Sequence, residues 1–241
     1  MPSSNGALVW DTVGTRKYHT GISHVALYVA PGTGETAETN SDYKAGVAWQ
    51  GVTALNENPE GAEATAVYAD NIKYLNTYSA EDFKCTIECL DYPDEFDVCL
   101  GIAAFGSGGS ITQQARRTFG LAYVHNIGSD TQGNEADQVM HLVYGCYAAP
   151  TERNHSTINE NTEQDSMSFE ISTTPVNVTA NSNAYKATAH IYVKKSTAGD
   201  TKWGNLYNQV FGKDDSAVSA DDGKIPTLIK PDTVYSILSA T

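Results

Sequence analysis

The chain has 241 residues, enough for one large domain with a sizeable hydrophobic core. Hydrophobic residues make up 40% and charged residues 18%, a composition typical of a folded, polar chain and not of a disordered one. The 15 Lys and Arg against 29 Asp and Glu give a formal net charge of −14. This charge argues against ordinary nucleic-acid binding, because that binding needs basic patches that displace phosphate counterions.

The chain shows no pattern that directs it to a membrane. Its first 20 residues lack a basic start followed by an apolar run, so we predict no signal peptide. No apolar stretch approaches the length of a membrane-spanning helix. We therefore expect no membrane partner and synthesis in a cytoplasm.

Alternating apolar and polar residues predict strands along most of the chain. In the first half the predicted strands cover residues 24–29, 71–78 and 83–91, and residues 79–82 join the last two as an antiparallel hairpin. In the second half they cover residues 119–127, 139–147, 166–172 and 185–194. Ile72, Tyr74 and Tyr78 are predicted to share one face of their strand. Inward-facing side chains are predicted at Tyr185, Ala187, Ala189, Ile191 and Val193.

The cysteines of the 83–91 segment fit this strand pattern. Phe83, Cys85, Ile87 and Cys89 alternate with polar residues, so we predict that all four face the core. The Cys-x3-Cys spacing also invites a zinc site, but residues four apart on a strand lie roughly 13 Å from each other, too far for one ion. We therefore predict buried free thiols.

One amphipathic helix is well marked. Apolar residues between Lys202 and Phe211 recur at helical spacing, which predicts a helix whose buried stripe includes Trp203, Leu206 and Phe211. Shorter helices are predicted after Tyr92 and over residues 232–239. Strands nevertheless dominate, so the predicted fold is mainly β: an antiparallel β-sandwich or barrel with one flanking helix.

Polar segments predict three long loops, over residues 30–42, 56–63 and 151–166, and residues 1–20 are predicted to form an N-terminal arm. None of these segments is typical of a linker between domains. We therefore predict a single domain over residues 1–241.

No familiar catalytic or metal-binding motif is present. The six histidines are scattered and form no H-x3-H or H-E-x-x-H pair, the GSGGS run at 106–110 lacks the lysine of a phosphate-binding loop, and no GxSxG elbow occurs. We predict no catalytic residues, no metal and no other cofactor. An enzyme whose site is assembled from distant loops is the alternative.

Six short motifs occur in one order along the chain. They are Trp49 followed by GVTALNENPEG, YAD leading into NIKYL, YPDEF at 92–96, QQARRTFGLAY at 113–123, HLVYGCYAAP at 141–150 and FEISTTPVNV at 169–178. In these motifs the chain resembles the major tail proteins of long-tailed, siphovirus-type bacterial viruses. The resemblance spans roughly residues 40–240.

The resemblance implies a structural role. Proteins of this family form stacked rings of six subunits, and the stack is the tail tube through which DNA is ejected. It implies self-association as the main interaction, further contacts with the tape-measure, tail-terminator and distal tail or baseplate proteins, and DNA only in transit. The expected location is the virion tail, assembled in the bacterial cytoplasm, and no enzymatic activity is expected.

The resemblance also suggests which residues meet neighbours. Loops 30–42 and 56–63 are candidate contacts between rings, and Glu57, Glu60 and Glu63 are candidate residues at a subunit contact or at the lumen. Two other functions are left open. A carbohydrate-binding β-sandwich would explain the 14 tyrosines, and another tail ring component, such as a terminator or distal tail protein, would form single rings.

Overall fold

Strands dominate the computed structural model, which describes residues 8, 10, 12–153, 155, 157, 165–213 and 224–240. About 44% of the residues lie in strands and 16% in helices. The strands pair in antiparallel fashion within one large sheet and three small ribbons. The predicted fold class, mainly antiparallel β with flanking helix, is confirmed.

The described residues contain fourteen strands and five α-helices. The strands are β1 (Lys17–Val29), β2 (Val47–Ala48), β3 (Val52–Glu57), β4 (Glu60–Gly61), β5 (Ala64–Ala69), β6 (Ile72–Tyr78), β7 (Glu81–Asp82), β8 (Lys84–Cys89), β9 (Ala103–Ala104), β10 (Ser110–Ile111), β11 (Phe119–Ser129), β12 (Gly133–Ala148), β13 (Met167–Thr173) and β14 (His190–Lys194). The helices are α1 (Asp97–Leu100), α2 (Ala180–Asn183), α3 (Lys195–Ala198), α4 (Asp200–Val210) and α5 (Pro231–Ser239), and one turn of 3₁₀ helix (Asp94–Phe96) precedes α1. Among these described helices, none has the length and apolar character needed to cross a bilayer.

The large sheet has the strand order β2-β1-β11-β12-β13-β8-β3, and β14 also pairs with β12. Strand β12 is the centre of this arrangement, because it pairs with β11 along most of its length, with β14 through residues 139–143 and with β13 through residues 146–148. The remaining strands form the two-stranded ribbons β4–β7, β5–β6 and β9–β10.

One face of the large sheet encloses the first hydrophobic cluster. Strands from both ends of the sheet contribute to it, since Leu27 of β1 and Ile87 of β8 belong to the same cluster. Trp49 and Phe96 are buried in it, with their ring centroids 4.6 Å apart. The sheet is therefore curled around this cluster.

The opposite face of the same strands is covered by helices. Met140 and Leu142 of β12 pack in a second cluster with Trp203 and Leu206 of α4, and α5 adds further apolar side chains. The central strands are thus buried on both sides, which explains why residues 139–147 read as apolar throughout.

The structure places the candidate core residues as follows. Phe83, Cys85, Ile87 and Cys89 are buried in the first cluster, Trp203 and Leu206 are buried in the second, and Phe211 is partly buried against the second. All four cysteines are buried and free.

The predicted hairpin between residues 71–78 and 83–91 is wrong. Strand β6 pairs with β5, and β8 pairs instead with β3 and β13. The cause is a tight turn at Asp70 and Asn71, which closes a more local hairpin. Ile72, Tyr74 and Tyr78, which were predicted to share one strand face, are exposed.

The predicted strand over residues 185–194 is shorter than expected. Only β14 (His190–Lys194) forms, and Tyr185 and Ala187 are exposed where inward positions were predicted. Ala189 and Val193 are buried and Ile191 is partly buried, as the alternation requires. Val176 and Thr188 form an isolated bridge, so the chain before β14 does not extend the large sheet in regular register.

The predicted loops differ in outcome. Residues 30–42 are irregular, apart from a bridge at Ser41, but Glu35 fixes this loop by ion pairs with Lys44 and Arg117. The prediction of a loop over residues 56–63 is wrong, because β3 continues to Glu57 and β4 occupies Glu60 and Gly61. Backbone pairing with β8 and β7 places half of this polar segment in strands, and residues 58, 59, 62 and 63 stay irregular.

Two predicted segments lie partly outside the described residues. Of the proposed N-terminal arm, residues 1–7, 9 and 11 lie outside them, and residues 17–20 belong to β1. Of the proposed loop over residues 151–166, residues 154, 156 and 158–164 lie outside them, and the described remainder is irregular.

Candidate functional site

The most exposed part of the fold is a two-stranded ribbon inserted between β3 and β8, which we call the exposed ribbon (residues 58–82). The β4–β7 pair forms its root and the β5–β6 hairpin forms its outer part. All seven residues of β6 are exposed. The ribbon is therefore built on neighbouring main-sheet strands but leaves most of its own side chains in solvent.

The sequence of the outer hairpin explains its local structure. Asp70 and Asn71 adopt φ values of 51° and 62°, the left-handed conformation that both central residues of a type I′ turn require. Asn and Asp tolerate this conformation better than most residues. Val67, Tyr68 and other β-branched or aromatic residues favour the flanking strands, which pair from Ala64–Tyr78 to Ala69–Ile72.

The root of the exposed ribbon depends on a glycine. Gly61 has a φ of +89°, and a Cβ atom placed there would lie 2.2 Å from the carbonyl oxygen of Ala80. Any other residue would clash with the partner strand, so Gly61 is what allows β4 and β7 to approach each other. Beside it, the Glu60 carboxylate pairs with the Lys84 ammonium of β8, which ties the root to the large sheet.

The outer hairpin presents an apolar surface. Six large hydrophobic side chains within 64–78 are exposed: Val67, Tyr68, Ile72, Tyr74, Leu75 and Tyr78. Three of them are tyrosines with exposed fractions of 70%, 68% and 69%. A two-stranded hairpin is marginally stable in water by itself, and tyrosines are enriched in protein interfaces. The outer hairpin is therefore a candidate assembly surface.

The three glutamates predicted from the sequence lie near the root of the exposed ribbon and not on its apolar part. Glu57 ends β3 and accepts a hydrogen bond from the Tyr123 hydroxyl at 2.6 Å. Glu60 pairs with Lys84, and Glu63 is exposed between β4 and β5. Two of the three carboxylates thus have partners in their own chain.

The apolar contact candidates were missed by the sequence analysis. Tyr74 and its neighbours were placed in a hairpin with residues 83–91, whereas β6 pairs with β5. The signal that could have corrected this is the Asp70–Asn71 pair, which lies between two runs of β-favouring residues at two-residue hairpin spacing.

A second feature brings together residues that the sequence scatters. His19, His125, His141 and His190 lie on the adjacent strands β1, β11, β12 and β14, one on each strand, in what we call the histidine row. Successive rings approach within hydrogen-bond distance: 2.9 Å from His19 Nδ1 to His125 Nε2, 2.8 Å from His125 Nδ1 to His141 Nε2, and 2.9 Å from His141 Nδ1 to His190 Nε2.

The histidine row lines a cavity of about 410 Å³. Glu57 lines the same cavity, and its Oε1 lies 3.3 Å from His141 Nδ1. One ligand atom each from Glu57, His141 and His190 lies within 4.8 Å of the others. These are the described residues that could hold a metal ion together.

Burial keeps His125, His141 and His190 neutral near pH 7 because it lowers the pKa of each ring. It lowers the pKa of His141 to about 3, and the neighbouring histidines act in the same direction. Burial also lowers the pKa of His125 and of His190. A neutral imidazole carries one N–H donor and one acceptor nitrogen, so neutral rings can form a continuous chain of N–H···N bonds.

The Tyr123 hydroxyl, which donates a hydrogen bond to Glu57, is also buried. Burial raises the pKa of the Tyr123 hydroxyl, and the hydrogen bond to Glu57 raises it further, so the hydroxyl stays protonated and remains the donor. The Tyr123 ring also stacks on His141, with centroids 4.5 Å apart. Tyr123 thus orients both Glu57 and His141.

Comparison with known proteins gives no match: neither a protein-family model nor a curated protein sequence matches this chain. The molecule therefore presents two candidate sites on structural grounds, the apolar outer hairpin of the exposed ribbon and the cavity of the histidine row.

Proposed function

We propose that the chain is a structural subunit that assembles with copies of itself into stacked rings, the tail tube of a long-tailed bacterial virus. The observation that carries this proposal is the exposed ribbon, whose six large apolar side chains lie in solvent in the single chain. Covering them requires a partner, and a second copy of the chain is the partner that the sequence resemblance implies.

A heterologous contact of the ribbon would account for stacking. The ribbon of one subunit would lie against a different surface of a subunit in the next ring, and such contacts generate open-ended stacks. Within one ring, the large mainly antiparallel sheet would supply a continuous wall. In this role the protein would surround a tape-measure protein and join a tail terminator and distal tail or baseplate proteins at the two ends.

The acidic charge supports passage of DNA. Each subunit carries a formal charge of −14, and a ring multiplies it. Phosphate groups are repelled by a surface of the same sign, so an acidic inner wall would let DNA move without binding. DNA would then be a passing cargo, and the protein would have no catalytic part in ejection.

The test is self-assembly of the purified protein, followed by light scattering and negative-stain electron microscopy. We expect the natural chain to form tubes and the double variant Tyr68→Ser, Tyr74→Ser to stay dispersed, because it loses two exposed aromatic anchors of the outer hairpin. Both side chains are solvent-exposed, so the midpoint of thermal unfolding should change little.

The matched control is Tyr192→Ser, which removes a tyrosine of the same exposure, 68%, from β14 outside the exposed ribbon. We expect this variant to assemble. If the natural chain stays monomeric at all concentrations, or if the double variant assembles as well as the natural chain, the proposal is wrong.

Two other outcomes separate the rival functions. Exposed tyrosines also stack against sugar rings, so a dispersed protein that binds immobilised glycans through Tyr68 and Tyr74 would be a carbohydrate-binding module. Single rings without stacking would instead indicate another ring component of a tail.

A further inference from the structure

Three side chains at the cavity of the histidine row have the arrangement of metal ligands. In a tetrahedral zinc site with bonds of about 2.0–2.1 Å, neighbouring ligand atoms lie about 3.3–3.4 Å apart. His141 Nδ1 lies 3.3 Å from Glu57 Oε1 and 2.9 Å from His190 Nε2. Small side-chain rotations would therefore place an ion between the three atoms.

We propose that Glu57 Oε1, His141 Nδ1 and His190 Nε2 together bind a divalent transition-metal ion of the class that zinc represents. Two imidazole nitrogens and one carboxylate oxygen form a ligand set that zinc accepts. The sequence predicts no metal here, because no two histidines have ligand spacing along the chain. The pairing of β14 with β12 and the curl of the large sheet, and not the local sequence, bring the three residues together.

Surrounding residues already orient two of the ligands. His125 Nδ1 lies 2.8 Å from His141 Nε2, so the N–H of His141 can be held on Nε2 and the lone pair of Nδ1 left for the ion. Tyr123 donates to Glu57 Oε1 at 2.6 Å. The bond at His141 Nε2 is made by the ring nitrogen that faces away from the ion, and such bonds fix the orientation of ligands in metal sites. Tyr123 donates to the ligating oxygen itself, which keeps a second lone pair for the ion.

Binding would require one change in the histidine row. The ion would replace the hydrogen bond between His141 Nδ1 and His190 Nε2. The hydrogen of His190 would then be on Nδ1, which leaves the lone pair of Nε2 for the ion. Both rings stay neutral in this exchange, so no net proton leaves the two histidines.

The fourth coordination position would face the cavity. The cavity has a volume of about 410 Å³, enough for water or a small anionic ligand. Lys17 and Lys194 also line it, and the Lys194 ammonium lies 3.6 Å from the Asp137 carboxylate, which offsets its charge. Three protein ligands with one open position are typical of zinc sites that exchange a ligand.

The ion would link the exposed ribbon to the large sheet. Glu57 is the last residue of β3, directly before the ribbon, whereas His141 and His190 lie on β12 and β14. A bound ion would therefore restrain the chain where the ribbon begins. This inference does not depend on the proposed assembly, because binding to the single chain is sufficient for it.

The test is calorimetric titration of Zn²⁺ into the full chain after removal of metal, under conditions that keep it dispersed. We expect one Zn²⁺ per chain, and affinity at least about tenfold weaker in Glu57→Gln and in His190→Ala. His19→Ala is the matched control, because it removes a member of the histidine row that is not a ligand, and we expect it to keep the affinity.

A second measurement guards against misfolded variants. Zn²⁺ should raise the thermal unfolding midpoint of the natural chain and of His19→Ala, whereas Mg²⁺ should not. Glu57 is exposed, so Glu57→Gln should fold normally, and Zn²⁺ should change its unfolding midpoint little. Absence of Zn²⁺ binding, or binding that Glu57→Gln and His190→Ala leave unchanged, would overturn the proposal. Loss of binding in His19→Ala alone would also overturn it.

Discussion

Asp137 shows how one carboxylate can hold a helix against a sheet. Its exposed fraction is 6%, yet its Oδ1 accepts hydrogen bonds from the backbone amides of Gln138, at 2.9 Å, and Ser196, at 3.0 Å. The Ser196 hydroxyl donates to its other oxygen. Ser196 belongs to α3, so Asp137 connects this helix to β12.

These partners also set the acidity of Asp137. Burial alone would raise its pKa, but the hydrogen bonds from Ser196 and Gln138 and the charge of Lys194 outweigh burial, and the pKa is lowered. A carboxyl group with a lowered pKa stabilises the fold fully above its unfolded value, about 3.9, and this contribution is lost as the pH falls through the folded pKa.

We predict that Asp137→Asn lowers the free energy of unfolding by about 1–2 kcal/mol at pH 7, because a charged acceptor of several hydrogen bonds is removed. The deficit should stay constant from pH 7 to about pH 5 and shrink below about pH 4, where the natural carboxyl group becomes protonated. Urea unfolding of both chains across this range measures it. A deficit that grows in acid would contradict the assignment.

The outer hairpin of the exposed ribbon owes its closure to two residues. Asp70 and Asn71 both have positive φ, and the preferred sequence for such a turn is Asp-Gly or Asn-Gly. Asn71 is therefore tolerated in this turn but is not the best residue for it. The hairpin consequently has room for stabilisation at a single position.

We expect Asn71→Gly to increase, and Asn71→Val to decrease, the protection of the hairpin amides from hydrogen exchange. The loss in Asn71→Val should be about 1–2 kcal/mol of opening free energy, because a β-branched side chain opposes the left-handed conformation. Exchange at Val67 and Leu75, which face each other in the register, reports it. Asn76→Gly is the control, since glycine within a strand should lower protection.

Residues 64–91 show which features can be predicted from one sequence: the buried face of a strand can, but its pairing partner cannot. The alternation around Cys85 and Ile87 is local, and it correctly predicted a buried strand face. The partner of β6 cannot be read from local sequence, because two connections permit a hairpin: residues 70–71 before β6 and residues 79–82 after it. The two-residue turn formed, so β6 pairs with β5 and the predicted pairing with β8 is absent.

The histidine row illustrates the same limit over a longer distance. His19 and His190 reach one site only because β1, β11, β12 and β14 lie side by side in a particular register. No spacing in the sequence contains that information. Helix α4, in contrast, carries its own apolar stripe, and its predicted position was close to the observed one.

The whole molecule carries a formal charge of −14, so copies repel one another at low ionic strength. Salt shortens the range of this repulsion, from about 30 Å at 0.01 M to about 8 Å at 0.15 M. Contacts made by the apolar outer hairpin are much less sensitive to salt.

We therefore predict that assembly is faster at 0.15 M than at 0.01 M NaCl, by the rise of light scattering at a fixed protein concentration. The double variant Tyr68→Ser, Tyr74→Ser should stay dispersed at both concentrations, which separates specific assembly from salt-induced aggregation. Faster assembly at the lower salt concentration would indicate that attraction between opposite charges drives association.

The exposed ribbon leaves the chain at one place, between β3 and β8, and this gives the chain a direction. A polymer joined through such ribbons would have two unlike ends, one displaying free ribbons and the other displaying free docking surfaces. Growth would then proceed at unequal rates at the two ends. A preformed seed that captures ribbons would fix the direction of elongation from the first ring onward.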